Sequence, residues 1–218
     1  NEYKFIVDGK EYPENGYFDF NFKKNKKEFE NGIIYQIFPD RFKRSGDLKL
    51  NIKLKKWGTK PNRSDFFGGN IKGIIEEIPY IKSLGVKYIY LNPFFRSHSN
   101  HRYDVDDYFS IDPLLGSIDD LINLGKELEK NNMGMIIDLV FHHTSIHFFA
   151  FQDAIKKGKD SEYFNWYKFL KDKPSIYTGV FSYGNIPDYE TFRGVGNMPK
   201  LNWNNKNVQE YILSVVKY

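Results

Sequence analysis

Met133-Gly134-Met135-Ile136-Ile137-Asp138-Leu139-Val140-Phe141-His142-His143 is an apolar run that closes on one carboxylate and two imidazoles. A strand of a parallel sheet, covered by helices on both faces, reads as a near-continuous run of Ile, Val, Leu and Met. Polar groups at the carboxyl end of such a strand stand where α/β folds place their sites. The run therefore predicts a buried parallel strand and marks Asp138 and His143 as candidate site residues.

Two more runs share this character. Gly32-Ile33-Ile34-Tyr35-Gln36-Ile37-Phe38 ends at Pro39, and Val86–Leu91 follows Gly85. Between them lie a polar, lysine-bearing loop (41–67) and a helical spacing of Ile71, Ile74, Ile75, Ile78, Ile81 and Leu84, with Pro79 placed to kink or divide it. Ser117 before an Asp-rich turn signals a helix start, and Leu121, Leu124 and Leu128 continue one stripe up to Asn132. Strand, helix, strand, helix, strand with helix-length crossovers implies a parallel sheet. Residues 144–203 break into aromatic, Gly- and Pro-rich sequence, an irregular length uncommon in a compact domain unless functional. They are read as a subdomain inserted over the site. Residues 204–218 return to helical spacing, with Val208, Tyr211, Ile212 and Val215 on one face. At the other end, residues 3–22 alternate loosely about Gly9, as two short strands around a turn would, and Lys23–Glu30 reads as a linker.

Composition bounds the possibilities. The 218 residues suffice for one large or two small domains. With 20 Phe, 16 Tyr and 3 Trp there is aromatic surface for a core and for a binding face besides. No apolar run approaches the roughly 18 residues of a membrane helix, so no membrane partner is expected. Asn1-Glu2-Tyr3-Lys4 has no secretory-signal character, and the absence of an initiator Met leaves the true start open. The lack of cysteine excludes disulfides and thiolate metal sites and fits a cytoplasmic protein. Residues 23–63 hold 13 Lys/Arg against 4 Asp/Glu, a local +9 within a total of +4, leaving −5 elsewhere. A nucleic-acid surface would interleave such a patch with stacking aromatics on a known module. The patch is read instead as a solvated lysine-rich surface, with no nucleic-acid partner.

The motifs as a set resemble the α-amylase superfamily, glycoside hydrolase family 13, on its neopullulanase, cyclomaltodextrinase and maltogenic amylase side. The residues that carry the resemblance are Tyr35-Gln36-Ile37-Phe38-Pro39-Asp40-Arg41-Phe42, Phe67-Gly68-Gly69, Leu91-Asn92-Pro93, Ser99-Asn100-His101-Arg102-Tyr103-Asp104, Asp138-Leu139-Val140-Phe141-His142-His143 and Met198-Pro199-Lys200-Leu201-Asn202. The resemblance implies an α/β fold, a partial (β/α)₈ TIM barrel made of the first three βα units (31–143), with subdomain B inserted after the third strand (144–203) and the third barrel helix at 204–218. Residues 1–30 resemble the end of a starch-binding-like β-domain and its linker. The implied chemistry is retaining hydrolysis of α-1,4, and often α-1,6, glucosidic bonds in an α-glucan oligosaccharide.

Site roles follow from the same resemblance. Tyr103 matches the ring that stacks on the sugar, His143 the imidazole that hydrogen-bonds it, and Asp138 and Asp104 the carboxylates that hold the architecture; His101 lies in the same substrate-binding motif. The catalytic nucleophile and acid/base are expected on the fourth and fifth strands, downstream of Tyr218, and no Gly-x-Arg-x-Asp occurs here. No catalytic residue is therefore expected within these residues. The chain is expected to be inactive alone and to partner the remaining C-terminal part of a barrel in a longer protein, itself a candidate homodimer. The alternative is an amylase-like carbohydrate-binding or interaction module without catalysis. No cofactor is required. The family usually carries Asn, a calcium ligand in calcium-dependent members, where His142 stands, and imidazole is a poor calcium ligand. A second calcium site would draw on Asp47, the Gly68 carbonyl and Asn70. Read without the family, His142 and His143 hint at zinc only if a third ligand such as His147 joins them.

Overall fold

The computed structural model describes residues 32–46, 52–179 and 187–218 in full, and the backbone of residues 2–3, 5–7, 10–12 and 18–19. The chain divides at Gly32 into two units. In the first, Glu2–Tyr3 (β1) pairs antiparallel with Phe18–Asp19 (β4), and Phe5–Val7 (β2) with Lys10–Tyr12 (β3). The lysine-rich segment 23–30 lies outside the described residues.

The second unit is built on a parallel sheet of Ile33–Ile37 (β5), Val86–Leu91 (β6) and Gly134–Ile137 (β9), in the order β5-β6-β9. The register sets Ile37 opposite Leu91 and Leu91 opposite Ile137, so the three strands end level. The helix expected over 71–84 is two: Ile71–Glu76 (α1) and Ile78–Ser83 (α2), broken at Glu77 with Pro79 in the first turn of the second. Proline lacks the N–H that would continue the ladder, so it starts a helix here instead of interrupting one. Ile118–Lys130 (α3) opens with a full capping box: the Ser117 hydroxyl accepts from Asp120 N–H while the Asp120 carboxylate accepts from Ser117 N–H. Ile71, Ile74, Ile78 and Ile81 pack beneath the sheet with Ile89, Leu124 and Leu128, all at most 2% exposed.

Three expectations change. The strand of the opening run is short, ending at Ile137, and it is half-exposed instead of covered on both faces. Ile33, Ile34 and Ile137 are 55%, 49% and 40% exposed. One bond to the sheet remains past Ile137, from Asp138 N–H to the Leu91 carbonyl; further on, Leu201 N–H donates to the His142 carbonyl, and Ser145 N–H to that of Val105. Second, Phe95–Ser97 (β7) and Val105–Ile111 (β8) form an antiparallel pair with two register shifts. Asp106 and Asp107 interrupt its apolar pattern, and the bulges spoil the alternation a strand normally shows. Third, segment 144–203 contains a helix, Phe149–Lys157 (α4), which starts without a capping side chain and ends at Gly158 (φ 62°). Its aromatic content hides the helical period. Thr191–Phe192 (β10) and Val195–Pro199 (β11) form a small hairpin, and Lys206–Lys217 (α5) follows, within the 204–218 span expected to be helical. Tyr218 caps α5; it is largely exposed, and its ring meets that of Phe109 edge-on at 5.3 Å. Phe148, Phe151, Trp166 and Tyr167 are buried as the core of segment 144–203, while Phe149 is 46% exposed. No helix among the described residues is long and apolar enough to cross a membrane.

Candidate functional site

Because β5, β6 and β9 end level, polar residues at or next to each strand end can reach their neighbours. Gln36 Nε2 donates to Asn92 Oδ1 (2.9 Å), Asn92 Nδ2 donates to the Tyr103 hydroxyl (3.1 Å), and that hydroxyl donates to Asp138 Oδ2 (2.8 Å). One hydrogen-bonded chain thus crosses the carboxyl ends of all three strands. It contains Tyr103 and Asp138 from the expected site and adds Gln36 and Asn92, which had no assigned role. Tyr90 also faces Asp138; its hydroxyl pKa is raised first by burial and then by that carboxylate. Burial, followed by the bond to Asp138, pushes the Tyr103 hydroxyl up to about 12. Tyr103 therefore stays protonated and donating at any ordinary pH.

The backbone of Tyr103 is held as firmly as its hydroxyl. Its N–H donates to His101 Nδ1 (3.1 Å), and its carbonyl accepts from His143 Nε2 (2.9 Å). A carbonyl oxygen can only accept, so His143 Nε2 carries the proton. Both imidazoles have lowered pKa values, chiefly by burial: His101 in direction, His143 to about 4, with His142 adding the next largest contribution. His143 is 3% exposed, and its ring lies face to face on Phe192 at 4.8 Å. This is the imidazole expected to hydrogen-bond a sugar. Nε2 is committed to Tyr103, and Nδ1 lies 3.3 Å from His142 Nδ1.

Asp104, buried, works inside its own loop. Its Oδ1 accepts from Ser97 Oγ (2.9 Å) and from Ser99 Oγ, with His101 Nδ1 3.7 Å away. The loop is anchored by a residue with no assigned role, Arg102, which is fully buried at φ 59°. Its Nε donates to Asp112 Oδ2 (2.8 Å) and its Nη1 to the Asn100 carbonyl (2.6 Å). A non-glycine residue in the left-handed region is uncommon, and such strain persists where the surroundings over-determine it. The signal in the sequence is a charged residue between His101 and Tyr103, whose burial no pattern reveals. Asp40 is similar: fully buried, it accepts from Phe67 N–H and Gly68 N–H, both at 3.0 Å, and so ties two of the quoted motifs together.

Of the residues expected to bind calcium, Asn70 is engaged within the fold. Asn70 caps α1: its Oδ1 accepts from Gly73 N–H (2.9 Å) and Ser45 N–H (3.1 Å), which uses both lone pairs, and its Nδ2 donates to the Ser45 carbonyl. Asp47 lies outside the described residues. Among the described residues no group of three or more His, Asp or Glu is placed to hold a metal. His147 does not join His142 and His143; its ring meets that of His98 at 4.1 Å, tilted by 32°.

The arrangement fixes the Tyr103 ring by polar groups at the ends of three strands. Its carboxylates are committed to holding that geometry. The family model "Alpha amylase, catalytic domain" matches residues 36–218, and the chain belongs to this family. The chain is 40% identical over 219 residues to a cyclomaltodextrinase of Thermoanaerobacter pseudethanolicus, covering 96% of this chain and 37% of that protein. It is 37% identical to neopullulanase 2 of Thermoactinomyces vulgaris, covering 85% and 31%. The structure superposes on the cyclic α-maltosyl-(1→6)-maltose hydrolase of Arthrobacter globiformis with a TM-score of 0.79 at 33% identity, over 86% of this chain and 41% of that one. The chain therefore spans well under half the length of these relatives.

Proposed function

We propose that the protein is a cyclomaltodextrinase-like retaining glycoside hydrolase, acting on α-1,4-glucosidic bonds of maltodextrin, cyclodextrin or pullulan, and that residues 33–218 form one wall of its glucan site. On this reading β5, β6 and β9 are the first three strands of a (β/α)₈ barrel, residues 144–203 are the subdomain inserted after the third, and residues 1–30 belong to an accessory β-domain. Tyr103 lies against the sugar ring while Asp138, Asn92 and Gln36 hold it upright. The observation that carries the reading is that hydrogen-bonded chain across three strand ends.

Retaining hydrolysis needs two carboxyl groups about 5–5.5 Å apart, one as nucleophile and one as acid/base. Asp138 and Asp104 are already committed to Tyr103 and to Ser97 and Ser99. The catalytic pair is accordingly assigned to polypeptide outside these 218 residues, downstream of Tyr218. Two findings support this: the chain covers 37% of the cyclomaltodextrinase it resembles, and β5 and β9 each pair only with β6 among the described residues. Such edges and their exposed isoleucines are what further barrel strands would cover. The test is turnover of β-cyclodextrin, pullulan and starch by the full gene product and by residues 1–218 alone. Activity in the first and none in the second is expected. Turnover by residues 1–218 alone within a few orders of magnitude of the full product, or none by the full product on any of the three, overturns the proposal.

A further inference from the structure

The two imidazoles at the end of the opening run face each other nitrogen to nitrogen, His142 Nδ1 to His143 Nδ1 at 3.3 Å. One of the two must donate. His143 Nε2 is 2.9 Å from the Tyr103 carbonyl, which can only accept, so in the neutral ring its Nδ1 is the bare, accepting nitrogen. The proton between the rings then belongs to His142. We infer that His142 is a positioning residue: its Nδ1–H donates to the bare Nδ1 of the Nε2–H tautomer that the Tyr103 carbonyl sets, and so holds the His143 ring against the Tyr103 backbone.

The surroundings favour a neutral pair. Lys200, whose backbone bridges His143, presents its charge to His142, and burial acts on both rings in the same direction. The Phe192 ring meets the His142 ring edge-on at 5.6 Å and lies on the face of His143, so the hairpin of β10 and β11 fixes the angle between them. The other charged groups near His143 are Asp104, which favours its protonation, and His101, which opposes it. A metal between the two rings would need a third ligand, and none stands there among the described residues. The consequence for glucan binding rests on the site proposed above; the proton arrangement itself does not.

The experiment is nitrogen-15 NMR of the histidine rings in the full-length protein, without sugar, from pH 8 to pH 4.5. In the wild type, His143 should show a protonated Nε2 and a bare Nδ1. His142→Asn keeps an N–H donor and should preserve that pattern. His142→Phe removes the donor to the neutral ring and should raise the His143 pKa by about one pH unit, with the tautomer still set by the Tyr103 carbonyl. An Nδ1–H tautomer for His143 in the wild type overturns the inference, and this reading needs no variant to fold. An unchanged His143 titration in a folded His142→Phe protein overturns it as well. Failure to bind maltotriose with the tautomers as expected would count against the proposed function and leave the inference standing.

Discussion

The level ends of β5, β6 and β9 and the loop that carries Tyr103 meet at one site but are held by different forces. The sheet rests on apolar packing: Ile37, Ile89 and Leu91 are at most 1% exposed, over the isoleucines of α1 and α2. The loop and its β7–β8 arms rest on buried polar groups, namely Arg102 on Asp112, and the Tyr108 hydroxyl against the carbonyls of Val140 and His143. Apolar packing tolerates small changes of shape, whereas a buried polar group deprived of its partner bears the full desolvation penalty. The loop that carries Tyr103 is thus the region least tolerant of single substitutions.

The largest effect should come from Arg102→Met. It leaves Asp112 buried without its counter-charge and should destabilise the protein by about 3–5 kcal/mol in urea unfolding; a loss below about 1 kcal/mol would show that the pair does not anchor the loop. Next is the acid side of the stability profile. The unfolded His143 titrates near 6.5 and the folded one near 4, so the unfolded state binds the extra proton between these values. Stability should hold above about 6.5 and fall by up to about 3 kcal/mol as the pH drops to 4. His143→Gln should flatten part of that slope. Tyr108→Phe removes a hydroxyl that serves two carbonyls with a single proton and should cost about 1–3 kcal/mol. Smallest is Ile89→Val in the sheet, about 0.5–1.5 kcal/mol for one buried methylene. A larger loss for Ile89→Val than for Tyr108→Phe would reverse the contrast between the two regions.

The same contrast explains what the sequence made legible. The three strands, the divided helix at Pro79 and the Ser117 cap are local signals, read from periodicity and turn chemistry within a dozen residues. Asp138, Tyr103, Asp104, His101 and His143 came from motifs. Gln36 and Asn92 also lie in motifs, but the contacts did not show, because Gln36 and Asn92 stand 56 residues apart, and Tyr103 and Asp138 stand 35 apart. No pattern in one sequence shows which buried polar groups will meet across such distances. Asn70 shows a role that the sequence did not signal. Its position in a Gly-Gly-Asn stretch suggests a cation, yet the helix that begins at Ile71 and the loop at Ser45 take both lone pairs of its oxygen. His142 stands out in the sequence as a departure from the family, and its place against His143 becomes visible only once both rings are placed.

The central claim is that Tyr103, held upright by strand-end groups, is the surface on which the sugar lies. Calorimetric titration of maltotriose into the full-length protein and into its Tyr103→Ala and Tyr103→Phe variants tests it most directly. A ring contact worth about 1.5 kcal/mol is roughly a tenfold change in affinity. Tyr103→Ala should therefore weaken binding by about tenfold or more, while Tyr103→Phe, which keeps the ring, should lie between it and the wild type. Equal affinity in the wild type and a folded Tyr103→Ala protein would contradict the claim.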